Sequence, residues 1–171
     1  MSRVRLRAPE RGDLEAFMRW MNDPEVTEFL EVEGPLSMDE EEKWYQQMLV
    51  SPDRVYCIEA EGRLIGNIGL LRLDLRHRRT DIGIVIGEKD AWSRGYGREA
   101  IALLLEYLFG ELGLNRVGLY ADASNLRAIR CYERCGFRHE GLLREYRFKR
   151  GQYVDCVRMG ILRRDWEASR C

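Results

Sequence analysis

The apolar and polar positions in the first half of the chain predict one strand, two helices and a hairpin. VRLRAP opens as a short strand, and DLEAFMRWMND then carries its apolar residues at helical spacing. A second helix begins near Ser37, because Ser37-Met-Asp-Glu40 has the pattern of a capping box. VYCIEA and LIGNIGLLRLDL follow on either side of a Glu-Gly-Arg turn, which is typical of two antiparallel strands.

The second half of the chain predicts alternating strands and helices and a final hairpin. DIGIVIG is a strand, and the apolar spacing beyond it predicts an amphipathic helix that starts at Glu99. RVGLYAD is a further strand, and SNLRAIRCYERCG is a further helix. The last two strands form a hairpin that turns about Arg150-Gly151.

Length and composition fit one domain of this kind. The chain has 171 residues, of which 45% are hydrophobic, which is enough for one core. We therefore expect a single α/β (α+β) domain over residues 1–171, with a central mixed, mostly antiparallel sheet flanked by helices. Lys and Arg number 28 against 29 Asp and Glu, which speaks against nucleic acid as a partner. MSRVRLRAPERGD has no long apolar run, so we expect a cytoplasmic protein without a membrane anchor.

The cysteines predict neither disulfides nor a metal site. Their number is odd, no CxxC pair occurs, and no second Cys/His pair of zinc-like spacing accompanies Cys131 and Cys135. We expect them to be reduced, and either packed as small hydrophobic side chains or exposed. The five are Cys57, Cys131, Cys135, Cys156 and Cys171.

The stretch WSRGYGREA places two glycines directly ahead of the predicted helix. Gly95-x-Gly97-x-x-Ala100 satisfies the dinucleotide-binding pattern, and Asp122 follows at about the twenty residues expected of a ribose-binding acid. A Rossmann turn, however, follows its strand almost at once, whereas GEKDAWS separates these glycines from theirs. A P-loop is excluded because no Gly-Lys-Ser/Thr follows.

Two interpretations of this loop remain, a simple turn and a phosphate-binding loop. The loop leads into a helix N-terminus, where unpaired amides and the helix dipole favour an anion. Arg94 and Arg98 add positive charge that suits phosphate. Pyrophosphate is the ligand that fits best, since glycines without Cβ atoms allow the amides to approach it.

A second motif, Asn125-x-x-Ala128-x-x-x-Tyr132-x-x-x-Gly136-Phe137, follows after one strand. With the loop, it resembles the GNAT superfamily of acyl-CoA-dependent N-acetyltransferases, over about Thr80 to Trp166. That family has a strand, a Gln/Arg-x-x-Gly-x-Gly/Ala loop, a long helix, a strand and a second helix in this order. EGLLREYRFKRGQYVDCVRMGIL is further similar to the spermidine acetyltransferases and the ribosomal-protein N-terminal acetyltransferases. Trp92 departs from the family, which usually has Gln or Arg there.

The resemblance implies acetyl-CoA as a co-substrate and no metal, with a cofactor-binding core at about residues 80–137. The loop would bind the pyrophosphate, and the strand IVI would pair its backbone with the pantetheine arm. Asn125 would hydrogen-bond that arm, although it also fits a helix cap, and Arg127 would reach the nucleotide end. Trp92 would cost one phosphate contact and leave the backbone contacts intact. The implied cofactor residues are Ile84, Val85, Ile86, Ser93, Arg94, Gly95, Tyr96, Gly97, Arg98, Asn125 and Arg127.

Two residues are candidates for the chemistry. Asn125, Ala128 and Tyr132 share one helix face, and the matching tyrosine of the family protonates the departing coenzyme A thiolate. We expect Tyr132 to be this general acid, where a core tyrosine would be the ordinary interpretation. The acceptor ammonium, with a pKa of about ten, must lose a proton, and Asp81 is the candidate base unless it is simply solvated. No cysteine suggests an acyl-enzyme, so we expect direct transfer in a ternary complex.

The acceptor is a primary amine whose identity the sequence leaves open: a polyamine, a protein N-terminus or a small-molecule amine. The acidic segments EFLEVEG, with Glu28, Glu31 and Glu33, and MDEEEK, with Asp39 to Glu42, would suit a basic acceptor if they lined a cleft. Solvated carboxylates near a helix start are the simpler interpretation. A non-catalytic acyl-CoA-binding regulator is the alternative function, and it would not need Tyr132. The family resemblance also implies a homodimer.

Overall fold

The computed structural model describes residues 2–32 and 34–170, so Glu33 and Cys171 lie outside the described residues. The strands are β1 (Val4–Arg7), β2 (Val55–Ala60), β3 (Arg63–Asp74), β4 (Arg79–Ile86), β5 (Arg116–Asp122), β6 (Arg138–Lys149) and β7 (Gln152–Leu162). The helices are α1 (Leu14–Met21), α2 (Met38–Val50), α3 (Tyr96–Leu105), α4 (Leu126–Arg134) and α5 (Arg163–Ala168). None of the helices in these ranges has the length and apolar character that a membrane span needs.

The strands belong to one seven-stranded sheet in the order β1-β2-β3-β4-β5-β7-β6. β4 and β5 are parallel, whereas β1–β2, β2–β3, β5–β7 and β6–β7 are antiparallel. The predicted α/β class with a mixed, mostly antiparallel sheet is therefore confirmed. The chain divides into two compact units, one with the residues up to Leu70 and Ile84–Ala100, the other with Leu71–Gly83 and the residues from Ile101 on. The single domain over 1–171 stays a prediction.

The first unit has a core built on α1. Leu14, Phe17 and Trp20 lie on one face of this helix, because their spacing follows the helical period, and all three are buried. The predicted capping box at the start of α2 is confirmed. The Ser37 amide donates to Glu40 at 2.8 Å, and the Glu40 amide donates to the Ser37 hydroxyl at 3.3 Å.

The second unit joins the start of β4 to β5, β7 and β6. The β6–β7 hairpin turns at Arg150 and Gly151, with φ values of 51° and 77°, as the sequence predicts. The strand register places Asp81 opposite Gly118 and Tyr120 opposite Arg158. Because side chains alternate along a strand, this register gathers polar groups on one face of the sheet.

Helix α3 differs from its prediction at both ends. It begins at Tyr96 and not at Glu99, because the positive φ of 87° at Gly95 ends the preceding turn there. Beyond Leu105 the chain continues as a π-helical stretch, Glu106–Glu111. The short helix α5 was not predicted, since its six residues carry no helical apolar period.

Candidate active site

The glycine motif forms the first turn of α3. The Glu99 amide donates to the Gly95 carbonyl at 3.2 Å, which makes this bond the first of the helix. The amides of Tyr96, Gly97 and Arg98 therefore precede the first hydrogen bond of the helix. A helix N-terminus of this kind binds anions, so the local structure suits the predicted pyrophosphate.

The outer side of this loop is exposed and positively charged. Arg94 and Arg98 are both exposed, and Arg94 contacts Glu61 at 3.3 Å, an exposed ion pair of small weight. Ser93, also exposed, has a φ of 61°. On the inner side, a Cβ at Gly97 would lie 3.9 Å from both Ile84 and Ile86. The end of β4 and the loop thus come together, as the predicted cofactor site requires.

Tyr96 anchors the loop with its side chain. The residue is buried, and its hydroxyl donates to Glu61 at 2.8 Å. That hydrogen bond is the main reason why the pKa of Tyr96 lies above its ordinary value. The guanidinium carbons of Arg3 and Arg94 lie 4.9 and 5.2 Å from the ring centroid, within cation–π range. The amide of Tyr96, and not its phenol, is therefore the group left for a ligand.

Arg3 also holds this loop, and the sequence analysis missed it. Its backbone amide donates to Glu99 at 2.9 Å and its Nε at 2.8 Å, while Nη2 donates to the Arg94 carbonyl at 3.0 Å. Arg3, directly before β1, thus contacts both the first turn of α3 and the loop before it. No local pattern signals a contact between residues so distant in sequence.

Trp92 replaces the usual Gln or Arg with a structural contact. Its indole N–H donates to the Ile86 carbonyl at 2.7 Å, at the end of β4. The side chain therefore fixes the loop to the strand. It also occupies the backbone carbonyl of Ile86, one of the three residues that the sequence analysis assigned to the pantetheine arm.

In the second unit, Asn125 caps helix α4, which is one of the two roles that the sequence analysis gave it. Its Oδ1 accepts from the Ala128 amide at 3.2 Å. Because the cap uses the oxygen, the side-chain NH₂ is the group left to donate to a ligand. Arg127, next along the helix, is exposed.

Tyr132 lies on the same face of α4 as Asn125 and is half-buried. Its ring packs edge-on against the ring of Phe137, with 6.1 Å between the two ring centroids. Burial is the main cause that raises the pKa of its hydroxyl above the ordinary value, and Cys131 and Cys135 add to the shift. No hydrogen bond contributes to it. Tyr132 therefore holds its proton at neutral pH, which is the state that a general acid needs.

Asp81 is the partner of two arginines. Its Oδ1 accepts from Arg158 at 2.6 Å, and its Oδ2 accepts from Arg72 Nη2 at 2.7 Å and from Nε at 3.2 Å. Burial acts to raise the pKa of this carboxyl, but the hydrogen bonds from Arg158 and Arg72 outweigh it and keep the pKa below its ordinary value. Such a carboxylate binds a proton weakly, which works against its predicted role as general base.

Asp81 also lines a cavity of about 320 Å³ within the second unit. Gly118, opposite Asp81, makes room for the ion pair, because a Cβ there would lie 2.6 Å from Asp81 Oδ1. Tyr120 forms part of the wall, with the guanidinium carbon of Arg158 at 4.3 Å from its ring centroid. The charged lining residues are Arg72, Asp74, Arg79, Asp81, Arg116 and Arg158.

Asp122 and Glu41 are also buried, contrary to what their sequence positions suggest. Asp122, which the dinucleotide alternative would place on a ribose, is 2% exposed and accepts from Arg147 at 2.6 Å and from Lys149. Glu41 is buried as well, and burial raises the pKa of its carboxyl, so it does not belong to a solvated helix face. Glu28 and Glu31 are exposed. Glu41 is thus removed from the acidic surface that the sequence analysis considered.

The described features are a helix N-terminus open to an anion and joined to a strand end, and a capped helix that carries a protonated tyrosine. Together they define a class of protein, the acyl-CoA-dependent transferases. The family model described as acetyltransferase (GNAT) domain matches residues 3–138. The chain belongs to this GNAT family, as the sequence resemblance implies. It is an N-acetyltransferase that uses acetyl-CoA.

Similar proteins come from both branches named in the sequence analysis. A spermidine N(1)-acetyltransferase of Vibrio cholerae is 34% identical over 163 residues, 94% of each chain. A Bacillus subtilis protein named as a ribosomal N-acetyltransferase is 36% identical over 110 residues, 64% of this chain and 60% of its own. The crystal structure of a Vibrio cholerae spermidine N-acetyltransferase with CoA and spermine superposes with a TM-score of 0.90 at 32% identity, covering 98% of this chain and 99% of that chain.

Proposed function

We propose that this N-acetyltransferase moves the acetyl group directly from acetyl-CoA to a primary amine, with Tyr132 as the general acid. The observation that carries the proposal is the state of Tyr132, a half-buried phenol with a raised pKa on the helix that Asn125 caps. In the reaction, the amine nitrogen attacks the thioester carbonyl carbon and the carbon–sulfur bond breaks. Tyr132 then protonates the departing sulfur, so no thiolate accumulates.

Cofactor binding is assigned to the loop and to the end of β4. The amides of Tyr96, Gly97 and Arg98 would hold the pyrophosphate, with charge from Arg94 and Arg98. Their position before the first helical bond, from Glu99 to Gly95, supports this role. The strand end that contacts the loop would pair with the pantetheine arm through Ile84, Val85 and Ile86.

The side-chain amide of Asn125 would hydrogen-bond the same arm, and Arg127 would contact the nucleotide end. The location of Arg127 on the exposed side of α4 supports such a contact. Cytoplasmic localisation and a homodimer stay predictions.

The acceptor is a small-molecule amine, and the spermine bound by the Vibrio cholerae relative supports this class. Asp81 as the general base stays a prediction. Its two arginine partners lower its basicity, so the ammonium proton would leave more readily to water. We therefore expect the rate to depend less on a base than on the fraction of acceptor that is already neutral.

The test is the variant Tyr132→Phe, with Tyr153→Phe as a matched control, since Tyr153 is an exposed tyrosine far along the chain in β7. Loss of a general acid lowers kcat by about 100-fold or more. We expect this loss for Tyr132→Phe, with the Kd of coenzyme A unchanged by calorimetry and with full activity in the control. The assays are release of free coenzyme A, with a thiol reagent, and titration of coenzyme A. Unchanged turnover of Tyr132→Phe with a good acceptor would rule out its role as acid.

A further inference from the structure

The cavity around Asp81 is positively charged. Four arginines and two aspartates line it, and Glu140 neutralises the lining residue Arg116, so one positive charge remains in excess. Arginine keeps its charge at every relevant pH. A polycation such as spermidine would meet repulsion here, whereas an anionic group would be attracted. The charge of the cavity therefore differs from what the polyamine-binding relatives suggest for the acceptor.

Arg158, which lines this cavity, has a donor without a partner. Its Nη2 donates to Asp81 at 2.6 Å, while its Nη1 is buried and, among the residues that the structure describes, has no hydrogen-bond partner. A buried charged donor without a partner is costly, and a ligand oxygen atom would remove that cost once the side chain turns Nη1 towards the cavity. Carboxylate and phosphate oxygens are the acceptors that a guanidinium group binds best.

Two further arginines have capacity for the same ligand. Arg72 donates to Asp81 through Nε and Nη2, and its Nη1 takes no part in these bonds. Arg79 is 59% exposed in its side chain and contacts Asp74 only loosely, at 3.4 Å. Arg116 differs, because both of its terminal nitrogens donate to Glu140. Arg79 can thus turn towards a ligand at little cost, whereas Arg158 and Arg72 would have to bind it while they keep their bonds to Asp81.

Asp81 offers the complementary charge in the same cavity. Its carboxylate is ionised at neutral pH, because its pKa is lowered, and it can therefore pair with an ammonium group. The cavity volume of about 320 Å³ is at the lower end of the range for small-molecule sites, which suits a compact ligand. A ligand with one amine and one acid group would match both charges.

We propose that this cavity binds the acid group, a carboxylate or a phosphate, of a zwitterionic amine that serves as the acetyl acceptor. Arg158, Arg72 and Arg79 bind the acid group, and Asp81 attracts the ammonium group. The proposal rests on the proposed function for the transfer step, but the binding of the acid group does not depend on catalysis. It makes the acceptor of this chain an amino acid or a phosphorylated amine, in contrast to the polyamine of its relatives.

The experiment compares acids with neutral counterparts, by calorimetry on the protein saturated with coenzyme A and by thiol release with acetyl-CoA. The carboxylate arm uses L-leucine against L-leucinamide, and the phosphate arm uses O-phosphoethanolamine against ethanolamine. Spermidine is the polycation. We expect at least one acid to bind about tenfold or more tightly than its neutral counterpart, as charge-assisted hydrogen bonds require. The two arms show which acid group the cavity accepts.

Variants connect that preference to the cavity. Arg158→Gln should remove the preference for the acid, and Arg79→Gln should reduce it by several-fold while leaving the Asp81 pairs in place. Arg164→Gln is the matched control, since Arg164 is an exposed arginine outside the lining, and should change nothing. Thermal unfolding of each variant shows whether it is folded, and Arg79→Gln remains informative if Arg158→Gln is not.

The outcomes separate the two proposals. Equal binding of acids and neutral counterparts, or a preference that survives both cavity variants, would overturn the anion site. Turnover of spermidine with no binding of either acid would also overturn it, while the proposed transfer would stand. Binding of an acid with no thiol release from any amine would leave the anion site standing and overturn the proposed function.

Discussion

Two aspartate–arginine clusters, one in each compact unit, use the same chemical groups with different results. Asp13 in the first unit and Asp81 in the second are equally buried, with 9% of each residue exposed. Both carboxyls have a pKa below the ordinary value. Their arginine partners, Arg7 and Arg158, differ in one respect: every nitrogen of Arg7 is engaged, and one nitrogen of Arg158 is not.

The Asp13 cluster is closed. Nη1 and Nη2 of Arg7 donate to its two oxygens at 2.7 and 2.8 Å, and Nε of Arg7 donates to Glu59 at 2.6 Å. The Glu10 amide donates to Asp13 at 2.7 Å, and the Cys57 thiol contacts it at 3.4 Å. Burial raises the pKa of Cys57 to about 12, so this thiol stays neutral beside the carboxylate. Among the described residues, every nitrogen of Arg7 and both oxygens of Asp13 thus already have a partner.

The Asp81 cluster is open, because its arginines keep unused donors and its carboxylate faces a cavity. The difference shows that burial and a lowered pKa do not by themselves separate a structural ion pair from a binding site. The number of unused hydrogen-bond donors and the space around them make that distinction.

The largest effect that we expect is on folding. Asp13→Asn removes a buried ion pair and leaves Arg7 with Glu59 as its remaining carboxylate partner, which costs about 3 kcal/mol of the free energy of unfolding. Asp81→Asn should cost a similar amount, because Arg158, whose side chain is 21% exposed, loses its carboxylate partner, although water can solvate Arg72, whose side chain is 65% exposed. Urea denaturation of both variants measures the two values. A loss below about 1 kcal/mol in Asp13→Asn, as for an exposed ion pair, would contradict a structural role for the closed cluster.

The next effect is on activity, in the open cluster. Asp81→Asn removes the charge that attracts the acceptor ammonium, so we expect kcat/KM for the acceptor to fall about tenfold, or ~1.4 kcal/mol. The KM of acetyl-CoA should not change. Asp13→Asn, assayed under conditions in which it is folded, serves as the control and should keep the wild-type kcat/KM. A larger kinetic loss in Asp13→Asn than in Asp81→Asn would contradict the assignment of roles.

A smaller effect is expected where the backbone makes room for the open cluster. Gly118→Ala would place a methyl group against the Asp81–Arg158 pair and force it to shift, at a cost of about 1 kcal/mol in stability. Gly141→Ala, also in a strand, meets no atom within 4 Å and is the matched control. Thermal unfolding compares the two, and an equal change in Tm would show that the pair adapts without strain.

The smallest effect is on the pH dependence of stability. Because folding lowers the pKa of Asp13, its ion pair stabilises the protein fully above the unfolded-state pKa of about 3.9. This stabilisation is lost as the pH falls through the lower pKa of the folded state. The gap in unfolding free energy between wild type and Asp13→Asn should therefore be full at neutral pH and shrink below a pH of about 4. Urea titrations over that range test it. A difference in unfolding free energy that increases as the pH falls would contradict the prediction.

Features set by short stretches of sequence were predictable. The capping box at Ser37, the cap at Asn125 and the turn at Arg150 each depend on residues within four positions of one another, so their side chains meet once the local backbone forms. The glycine loop was found for the same reason. The start of helix α3 was predicted too late, at Glu99 and not at Tyr96. The reason is that Gly95, inside the motif, ends the preceding turn before the apolar period of the helix begins.

Features set by strand register were not predictable. Asp81 was expected to be solvated or a base, and its pairing with Arg158 joins positions 77 residues apart. Which side chain lies opposite another depends on the pairing of β4, β5 and β7, and a shift by one residue would reverse the faces. The contact of Arg3 with Glu99 is of the same kind. Candidate site residues on one helix can be found from spacing, whereas a cavity built by several strands cannot.

The hydrogen bond from Trp92 to the Ile86 carbonyl gives the protein an optical probe at a useful place. Indole fluorescence responds to the polarity and hydrogen bonding around the ring, and this ring lies directly before the exposed loop at Ser93. The chain has three other tryptophans, and replacing them with phenylalanine would leave one emitter. Stopped-flow emission of that protein would report the arrival of coenzyme A at the loop in real time, without any added label.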